Sequence, residues 1–165
     1  MKRLILFTVC ITISLVCFAQ EEIRIGAPAP RFFGSTTDDS FFYAPDVFGT
    51  QPVVLSFFAT FCEPCRQEMP ELLDLVSSTF PEAYLLFIGI DPAGSLDAVA
   101  EFARDSGVTE NVLFDRGNRV MNMYEIEVFP TTIIIDTTGN IAHISTGYTE
   151  AGMAEIERVL EEVCR

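Results

Sequence analysis

The chain contains no tryptophan, one histidine (His143) and a single lysine (Lys2). Beyond residue 19 the only cationic side chains are therefore eight arginines, which face 24 acidic residues and give a formal net charge of −16. A surface of that charge repels phosphate backbones, so nucleic acid is excluded as an expected partner. The same charge favours solubility, so acidity alone does not predict a docking role.

Long hydrophobic runs are also scarce, and the one at the N-terminus has the layout of a secretory signal. Met1-Lys2-Arg3 is followed by 16 mostly apolar residues, Leu4 to Ala19, and then by polar residues. This pattern predicts a signal peptide at 1–19, cleaved after Ala19. An uncleaved membrane anchor is the alternative, although the run is shorter than the roughly 20 residues that span a bilayer. The protein is thus expected outside the cytoplasm, touching the membrane only through 4–19 if uncleaved.

Export changes the meaning of the cysteines, because disulfides persist outside the cytosol and are rare within it. Three cysteines follow the predicted signal peptide: Cys62, Cys65 and Cys164. Two cysteines only three positions apart cannot staple distant parts of a fold, so Cys62 and Cys65 indicate redox chemistry or metal binding. Cys164 is close to the C-terminus and is predicted to be a bystander or an adventitious dimer link.

Apolar runs and helical patterns alternate along residues 20–165, which form one domain of about 145 residues. Residues 23–52 are predicted to form an extended lead-in with short strands and turns. Strands are expected at 53–59, 83–90, 112–114, 131–135 and 141–145, and helices at 62–79, 94–106, 118–124 and 150–163. Pro70 should kink the first of these helices. The order predicts an α/β fold, a central mixed sheet flanked by helices with an N-terminal β extension.

The sequence Cys62-Glu63-Pro64-Cys65 joins the end of a buried strand to the start of a helix. There the unpaired backbone amides and the helix dipole favour negative charge, so Cys62 is expected to be the attacking thiolate. Cys65, one turn further in, is expected to be less exposed and to resolve a mixed disulfide. Pro64 should stiffen the first turn without losing a hydrogen bond. Glu63 opposes thiolate formation and predicts a site that is less oxidising than one with a cationic residue between the cysteines.

Two segments of the chain resemble a known family. Residues 57–70 read F-F-A-T-F-C-E-P-C-R-Q-E-M-P, which is similar to the F-W-A-T-W-C-x-P-C-x-x-E-x-P of TlpA/ResA-like reductases in the thioredoxin superfamily. Residues 124–139, Y-E-I-E-V-F-P-T-T-I-I-I-D-T-T-G, resemble the family's segment around its cis-proline. The likeness extends to the lead-in at 26–32 and implies a thioredoxin-like three-layer fold and a thiol–disulfide oxidoreductase without a cofactor.

The resemblance also implies roles for individual residues. Pro130 would be a cis-proline that faces the Cys62–Cys65 disulfide, and Phe129 would pair with an extended substrate segment. Phe61 replaces the family's tryptophan and retains an apolar lid beside Pro64, so both are candidate substrate-binding residues. Glu68, on the helix face of Cys65, would tune the thiols and move protons; the alternative is a solvated helix carboxylate.

The family resemblance further implies a direction and partners. The expected function is that of a reductant in an oxidising compartment, kept reduced by a thiol-reducing electron carrier in the membrane. Its substrates would be exported proteins with cysteines, such as apocytochrome c. The alternative is an oxidant of the same fold that donates disulfides to folding proteins.

Three other classes of function share some of these features. A copper or zinc carrier could use Cys62, Cys65 and His143, since thiolates bind soft ions, but copper-carrying relatives of the fold space their cysteines one residue further apart. The position of Arg66 excludes simple haem attachment, which requires histidine there. A peroxiredoxin would have threonine three residues before its nucleophile, where this chain has Ala59. His143 is expected to be structural and not catalytic.

Overall fold

The computed structural model describes residues 23–165. The predicted signal peptide, its cleavage after Ala19, Cys10 and Cys17 lie outside the described residues. Within residues 23–165, no helix combines the length and apolarity needed to cross a membrane. The strands are β1 (Phe33–Ser35), β2 (Phe41–Tyr43), β3 (Val53–Ala59), β4 (Tyr84–Ile90), β5 (Val112–Phe114), β6 (Thr131–Ile135) and β7 (Ile141–Thr146). The helices are α1 (Ala44–Val47), α2 (Glu63–Thr79), α3 (Leu96–Asp105), α4 (Arg119–Met123) and α5 (Glu150–Val163), with a 3₁₀ turn at Arg116–Asn118.

Five strands form the central sheet in the order β5-β4-β3-β6-β7. β3 pairs in parallel with β4 and antiparallel with β6, and β4 pairs in parallel with β5. All seven residues of β3 are buried, as its almost entirely apolar sequence predicts for a strand covered on both faces. The predicted central mixed sheet is confirmed.

The two faces of the sheet carry separate hydrophobic cores. Along β3, Val54 and Phe58 point to one core, and Val53, Leu55 and Phe57 to the other, as the two-residue period of a strand requires. The first core is completed by α2, α3 and α5, and the second by α4 and the N-terminal residues 29–48. These three layers are the predicted thioredoxin-like architecture.

The N-terminal lead-in is a β extension with one feature that the sequence pattern missed. β1 and β2 form a separate antiparallel hairpin, as expected for short strands. The residues after β2, however, turn into the short helix α1, which has proline in its first turn, where a missing amide hydrogen costs nothing. Phe32, Phe42 and Phe48 from this region pack against one another and cover the second core.

Close packing between β4 and its neighbours depends on a glycine. A Cβ atom on Gly89 would lie 2.5 Å from both Phe58 Cζ and Val99 Cγ1. Such distances are far inside van der Waals contact, so the side chains of β3 and α3 occupy the space that any larger residue would need. Gly89 therefore lets α3 pack directly on the sheet next to the strand that leads to the cysteines.

Candidate active site

The loop that carries Cys62 leaves the carboxyl end of β3 and is fixed at both ends. The Thr60 amide donates to the Ile90 carbonyl (3.1 Å), and the Thr60 hydroxyl donates to Asp91 Oδ1 (2.7 Å). The Cys62 amide donates to the Ala59 carbonyl (2.9 Å). These bonds hold the loop against the end of β4, so Cys62 has a defined position at the carboxyl edge of the parallel strands.

Cys62 and Cys65 form a disulfide, with an S–S distance of 2.01 Å and a Cα–Cα distance of 5.4 Å. Helix α2 begins at Glu63, one residue later than predicted, so Cys62 is its N-cap residue and does not lie in its first turn. The Cys65 amide donates to Cys62 Sγ (3.2 Å), which gives one of the free amides of the helix start a partner. Cys62 is 6 % exposed and Cys65 is 0 % exposed. The predicted order of accessibility is confirmed.

The peptide bond between Phe129 and Pro130 is cis, and its position follows from the sheet register. β6 begins at Thr131, which pairs with Phe57 near the end of β3. Because the two strands are antiparallel, the residues just before β6 lie beside the end of β3, where the active-site loop leaves. The Gly147 amide donates to the Pro130 carbonyl (2.7 Å) and fixes the cis-proline loop from its other side.

Exposed apolar side chains lie on the two loops that precede Cys62 and Pro130. The Phe61 ring meets the Phe129 ring edge-on, with centroids 6.2 Å apart. Phe61 is 64 % exposed, and Val128, which precedes Phe129 in the chain, is 51 % exposed. Exposed apolar area at such loops is available for contact with another molecule.

Glu68 is a buried carboxyl group on the helix of the cysteines. It lies three residues after Cys65, is 2 % exposed, and accepts a 2.8 Å hydrogen bond from the Thr132 hydroxyl. Burial raises the pKa of Glu68 to about 7, against the opposing effect of the Thr132 and Ser56 hydroxyls. Glu68 is therefore a buried carboxyl group and not a solvated one. The residue can take up or release a proton near neutral pH.

Glu63 forms an ion pair with Arg66, a contact that the cysteine motif alone does not reveal. Arg66 Nε lies 3.7 Å from Glu63 Oε2, and the Arg66 guanidinium stacks over the Phe102 ring at 4.1 Å from its centroid. The pair is exposed, so its effect on stability is small. The arginine nevertheless places a positive charge one residue after Cys65.

The remaining sequence candidates lie elsewhere. His143 is half-buried on β7 opposite Ile134, and burial lowers its pKa. Within residues 23–165 no three His, Cys, Asp or Glu side chains come together in a group that could hold a metal ion, so Cys62, Cys65 and His143 do not form the triad of the carrier hypothesis. Cys164 is a free, half-buried thiol at the end of α5, and burial, with Glu82 nearby, raises its pKa to about 11.

Two hydroxyl groups near Glu68 were not singled out from the sequence. Thr132 and Ser56 belong to strands that are far apart in the chain, and only the pairing of β6 with β3 places them side by side. Serine and threonine in an apolar run are a weak signal of a polar contact, since either hydroxyl can bond to the backbone instead.

Comparison with known proteins agrees with this geometry. The model of the AhpC/TSA family matches residues 25–144. The thiol-disulfide oxidoreductase ResA of Geobacillus kaustophilus is 28% identical over 87% of this chain and 80% of its own length. The ResA of Bacillus subtilis is 29% identical over 78% of this chain and 70% of its own length.

A solved structure is also similar to this chain. The solution structure of a candidate protein disulfide isomerase from Bacteroides thetaiotaomicron superposes with a TM-score of 0.74 and 28% sequence identity, covering 86% of this chain and 91% of that one. The likeness in sequence and structure spans the sheet, the cysteine helix and the cis-proline loop. The chain therefore belongs to the AhpC/TSA family, and it is a thioredoxin-like thiol–disulfide oxidoreductase of the ResA type.

Proposed function

We propose that the protein is exported and reduces disulfides in other exported proteins, such as apocytochrome c before haem is attached. The observation that carries this proposal is the placement of Cys62 as the N-cap of α2, more accessible than Cys65 and flanked by exposed apolar side chains. An N-cap sulfur accepts hydrogen bonds from backbone amides and lies at the positive end of the helix dipole. Both effects favour its thiolate form.

The reaction uses both cysteines in order. In the dithiol state the Cys62 thiolate attacks one sulfur of a substrate disulfide; that S–S bond breaks, a bond between Cys62 and the substrate forms, and the other substrate sulfur leaves as a thiolate. The Cys65 thiolate then attacks Cys62 Sγ, closes the Cys62–Cys65 disulfide and releases the second substrate thiolate. Two electrons pass to the substrate; the cysteines release two protons to the solvent, the Cys65 proton by way of Glu68, and the two substrate thiolates take up two protons from the solvent. A thiol-reducing electron carrier in the membrane would restore the dithiol.

Glu68 supports the second step in this proposal. Cys65 must lose a proton inside a site where it is fully buried, and water is a poor acceptor there. Glu68 lies on the same helix face and its pKa is raised to about 7, close to the value that general acid–base catalysis at neutral pH requires. The carboxylate accepts the Cys65 proton and later passes it to the solvent.

The exposed apolar side chains of the two active-site loops are assigned to the substrate. Phe61, Phe129 and Val128 offer contact area to an extended peptide, and the backbone before Pro130 offers hydrogen-bonding groups that run alongside it. Recognition through backbone pairing and apolar contacts suits unfolded proteins, because it does not depend on one side-chain sequence. Pro64 would hold the two sulfurs in a fixed geometry facing this surface.

The first test is the reduction potential of the Cys62–Cys65 pair in residues 20–165, with Cys164→Ser to remove the third thiol. Equilibration with a dithiothreitol or glutathione series should give a value near the roughly −270 mV of thioredoxin, which supports a reductase. A value near the roughly −120 mV of a strong oxidant would reverse the assigned direction.

Substrate class and export are tested separately. The reduced domain should reduce an oxidised peptide containing C-x-x-C-H, the haem-attachment motif of apocytochrome c, faster than it reduces oxidised glutathione. The Cys62→Ser variant should reduce neither compound. Equal rates would remove the preference for protein substrates. Expression of the full chain in a bacterium should yield an extracytoplasmic protein whose measured mass is that of a chain starting at Gln20. Retention of residues 1–19 would favour the anchored alternative.

A further inference from the structure

Ser56 and Thr132 place two hydroxyl groups inside the central sheet. Both residues are fully buried, and they are direct partners across the antiparallel pair β3–β6. Ser56 has apolar neighbours on both sides in β3, and Thr132 lies between Thr131 and three isoleucines in β6, so buried hydroxyls are few in these two strands. Burying a hydroxyl costs free energy unless it has a hydrogen-bond partner, so a polar partner is expected near this pair.

The partner of this pair is Glu68. The Thr132 hydroxyl donates to Glu68 Oε1 at 2.8 Å. The Ser56 hydroxyl lowers the pKa of the same carboxyl, but within residues 23–165 it makes no direct hydrogen bond. Three buried polar side chains from α2, β3 and β6 thus form one cluster.

We propose that Ser56 and Thr132 are positioning residues, which hold the Glu68 carboxyl on the sheet beneath the cysteine helix and favour its charged form. The inference rests on the proposed function, in which Glu68 accepts the Cys65 proton. Without donors, a carboxylate at this depth would remain protonated at neutral pH and could not accept a proton. With one donor or two, it is ionised for a substantial fraction of the time.

Other charges near Glu68 do not replace these hydroxyls. Glu71, on the same helix, raises the pKa of Glu68 because it is also negative. Tyr148, in the loop after β7, donates its hydrogen bond to Glu71 rather than to Glu68. The Cys62 and Cys65 thiols become additional negative groups when they ionise. The hydrogen bond that stabilises the Glu68 carboxylate therefore comes from Thr132, and Ser56 is the partner of Thr132 across the sheet.

The test is the pKa of Glu68 itself, followed by ¹³C NMR of its side-chain carboxyl in residues 20–165. Thr132→Val removes the donor at nearly constant volume and should raise this pKa by about one unit, the worth of a hydrogen bond to a charged group. Thr132→Ser keeps a hydroxyl and should restore a value near that of the wild type. Thr131→Val is the matched control, because the Thr131 hydroxyl donates to the Val128 carbonyl and not to Glu68.

Ser56→Ala removes only one oxygen atom and is the second variant, should Thr132→Val fail to fold. It should raise the pKa of Glu68 by a smaller amount than Thr132→Val. Unchanged values in the folded variants, or equal shifts in Thr132→Val and the Thr131→Val control, would overturn the positioning role.

The proposed function is judged by a different readout, the pH dependence of the disulfide-exchange rate. Glu68→Gln should remove the step near pH 7 from that profile. If it does not, Glu68 has no part in proton transfer, although the pKa measurement still decides whether Ser56 and Thr132 hold its carboxyl. If Glu68→Gln does remove the step while Thr132→Val leaves the pKa of Glu68 unchanged, the function stands and the positioning role fails.

Discussion

The ring of Phe61 meets the ring of Phe129 at 87°, with centroids 6.2 Å apart, so the loop before Cys62 and the loop before the cis-proline touch through two aromatic side chains. An edge-on pair of this kind is stable on its own and still leaves the outer face of Phe61 exposed. The contact links the residue that precedes the nucleophile to the residue that precedes Pro130. In the proposed function, a bound peptide passes over this contact.

This contact gives a prediction on substrate selectivity. Phe61→Ala should slow exchange with a protein disulfide by about tenfold, since loss of a well-placed aromatic contact costs about 1–2 kcal/mol. Exchange with a small disulfide reagent should change much less, because it needs no apolar surface. Stopped-flow measurement of both rates checks the ratio. Phe61→Trp, which restores the tryptophan of the TlpA/ResA-like motif, is the control and should retain the wild-type preference; a parallel fall in both rates would assign Phe61 to the chemistry instead.

The two cysteines should differ sharply when each is replaced. Cys62→Ser should abolish exchange, whereas Cys65→Ser should form mixed disulfides that persist, because nothing is left to attack the Cys62–substrate bond. Incubation with an extracytoplasmic extract and non-reducing electrophoresis would reveal the trapped species. The Cys62→Ser protein serves as the negative control. If the Cys65→Ser protein captures nothing under conditions where the wild type is active, Cys65 does not have the resolving role.

The burial of Glu68 predicts a pH-dependent cost in stability. Its pKa is raised from 4.5 in the unfolded chain to about 7 in the fold, so the folded state binds the extra proton between these values and loses stability as pH rises through them. Glu68→Gln should therefore be nearly neutral at low pH and raise the free energy of unfolding by about 2–3 kcal/mol at pH 8. Denaturant unfolding at the two pH values measures the difference.

A surface variant provides the comparison for this experiment. Glu101 is exposed on α3, away from the sheet hydroxyls. Glu101→Gln should change the free energy of unfolding by less than about 0.5 kcal/mol at either pH. If Glu68→Gln shows no more pH dependence than Glu101→Gln, the raised pKa of Glu68 is wrong.

Gly89 gives a prediction on packing alone. In Gly89→Ala the new methyl group would lie 2.5 Å from Phe58 Cζ and from Val99 Cγ1, so the variant should lose about 1–3 kcal/mol of unfolding free energy. Adding Val99→Ala removes one of the two clashes, and the double variant should be more stable than the sum of the single changes predicts. Strict additivity in chemical denaturation would show that the clash is relieved elsewhere.

The sequence was sufficient wherever a feature depends on neighbours along the chain. The apolar run at Val53–Ala59, the cysteine pair after it and the position of Glu68 on the same helix face all follow from local periodicity, and the structure agrees with each. The start of α2 was placed one residue early, because an N-cap residue belongs only half to its helix. Helix α2 also continues through Pro70 to Thr79 as one element.

What the sequence could not supply is the register between distant strands. Nothing in the local pattern pairs Ser56 with Thr132, since a shift of one residue in β6 would turn the Thr132 side chain to the other face of the sheet. The bond between Tyr148 and Glu71 is likewise a product of tertiary packing, joining residues 77 positions apart. The polar contacts around Glu68 and Glu71 were therefore less predictable than the cysteine pair.

The hydrogen bond from the Cys65 amide to Cys62 Sγ makes the oxidation state of the protein visible in a backbone signal. The acceptor is a disulfide sulfur in one state and a free thiol or thiolate in the other, so the electron density around this one amide proton changes with each turnover. In a ¹H–¹⁵N correlation spectrum of ¹⁵N-enriched protein, the Cys65 amide resonance should move when the pair is reduced, without any attached reporter group. The start of helix α2 is thus an internal spectroscopic probe of the redox couple.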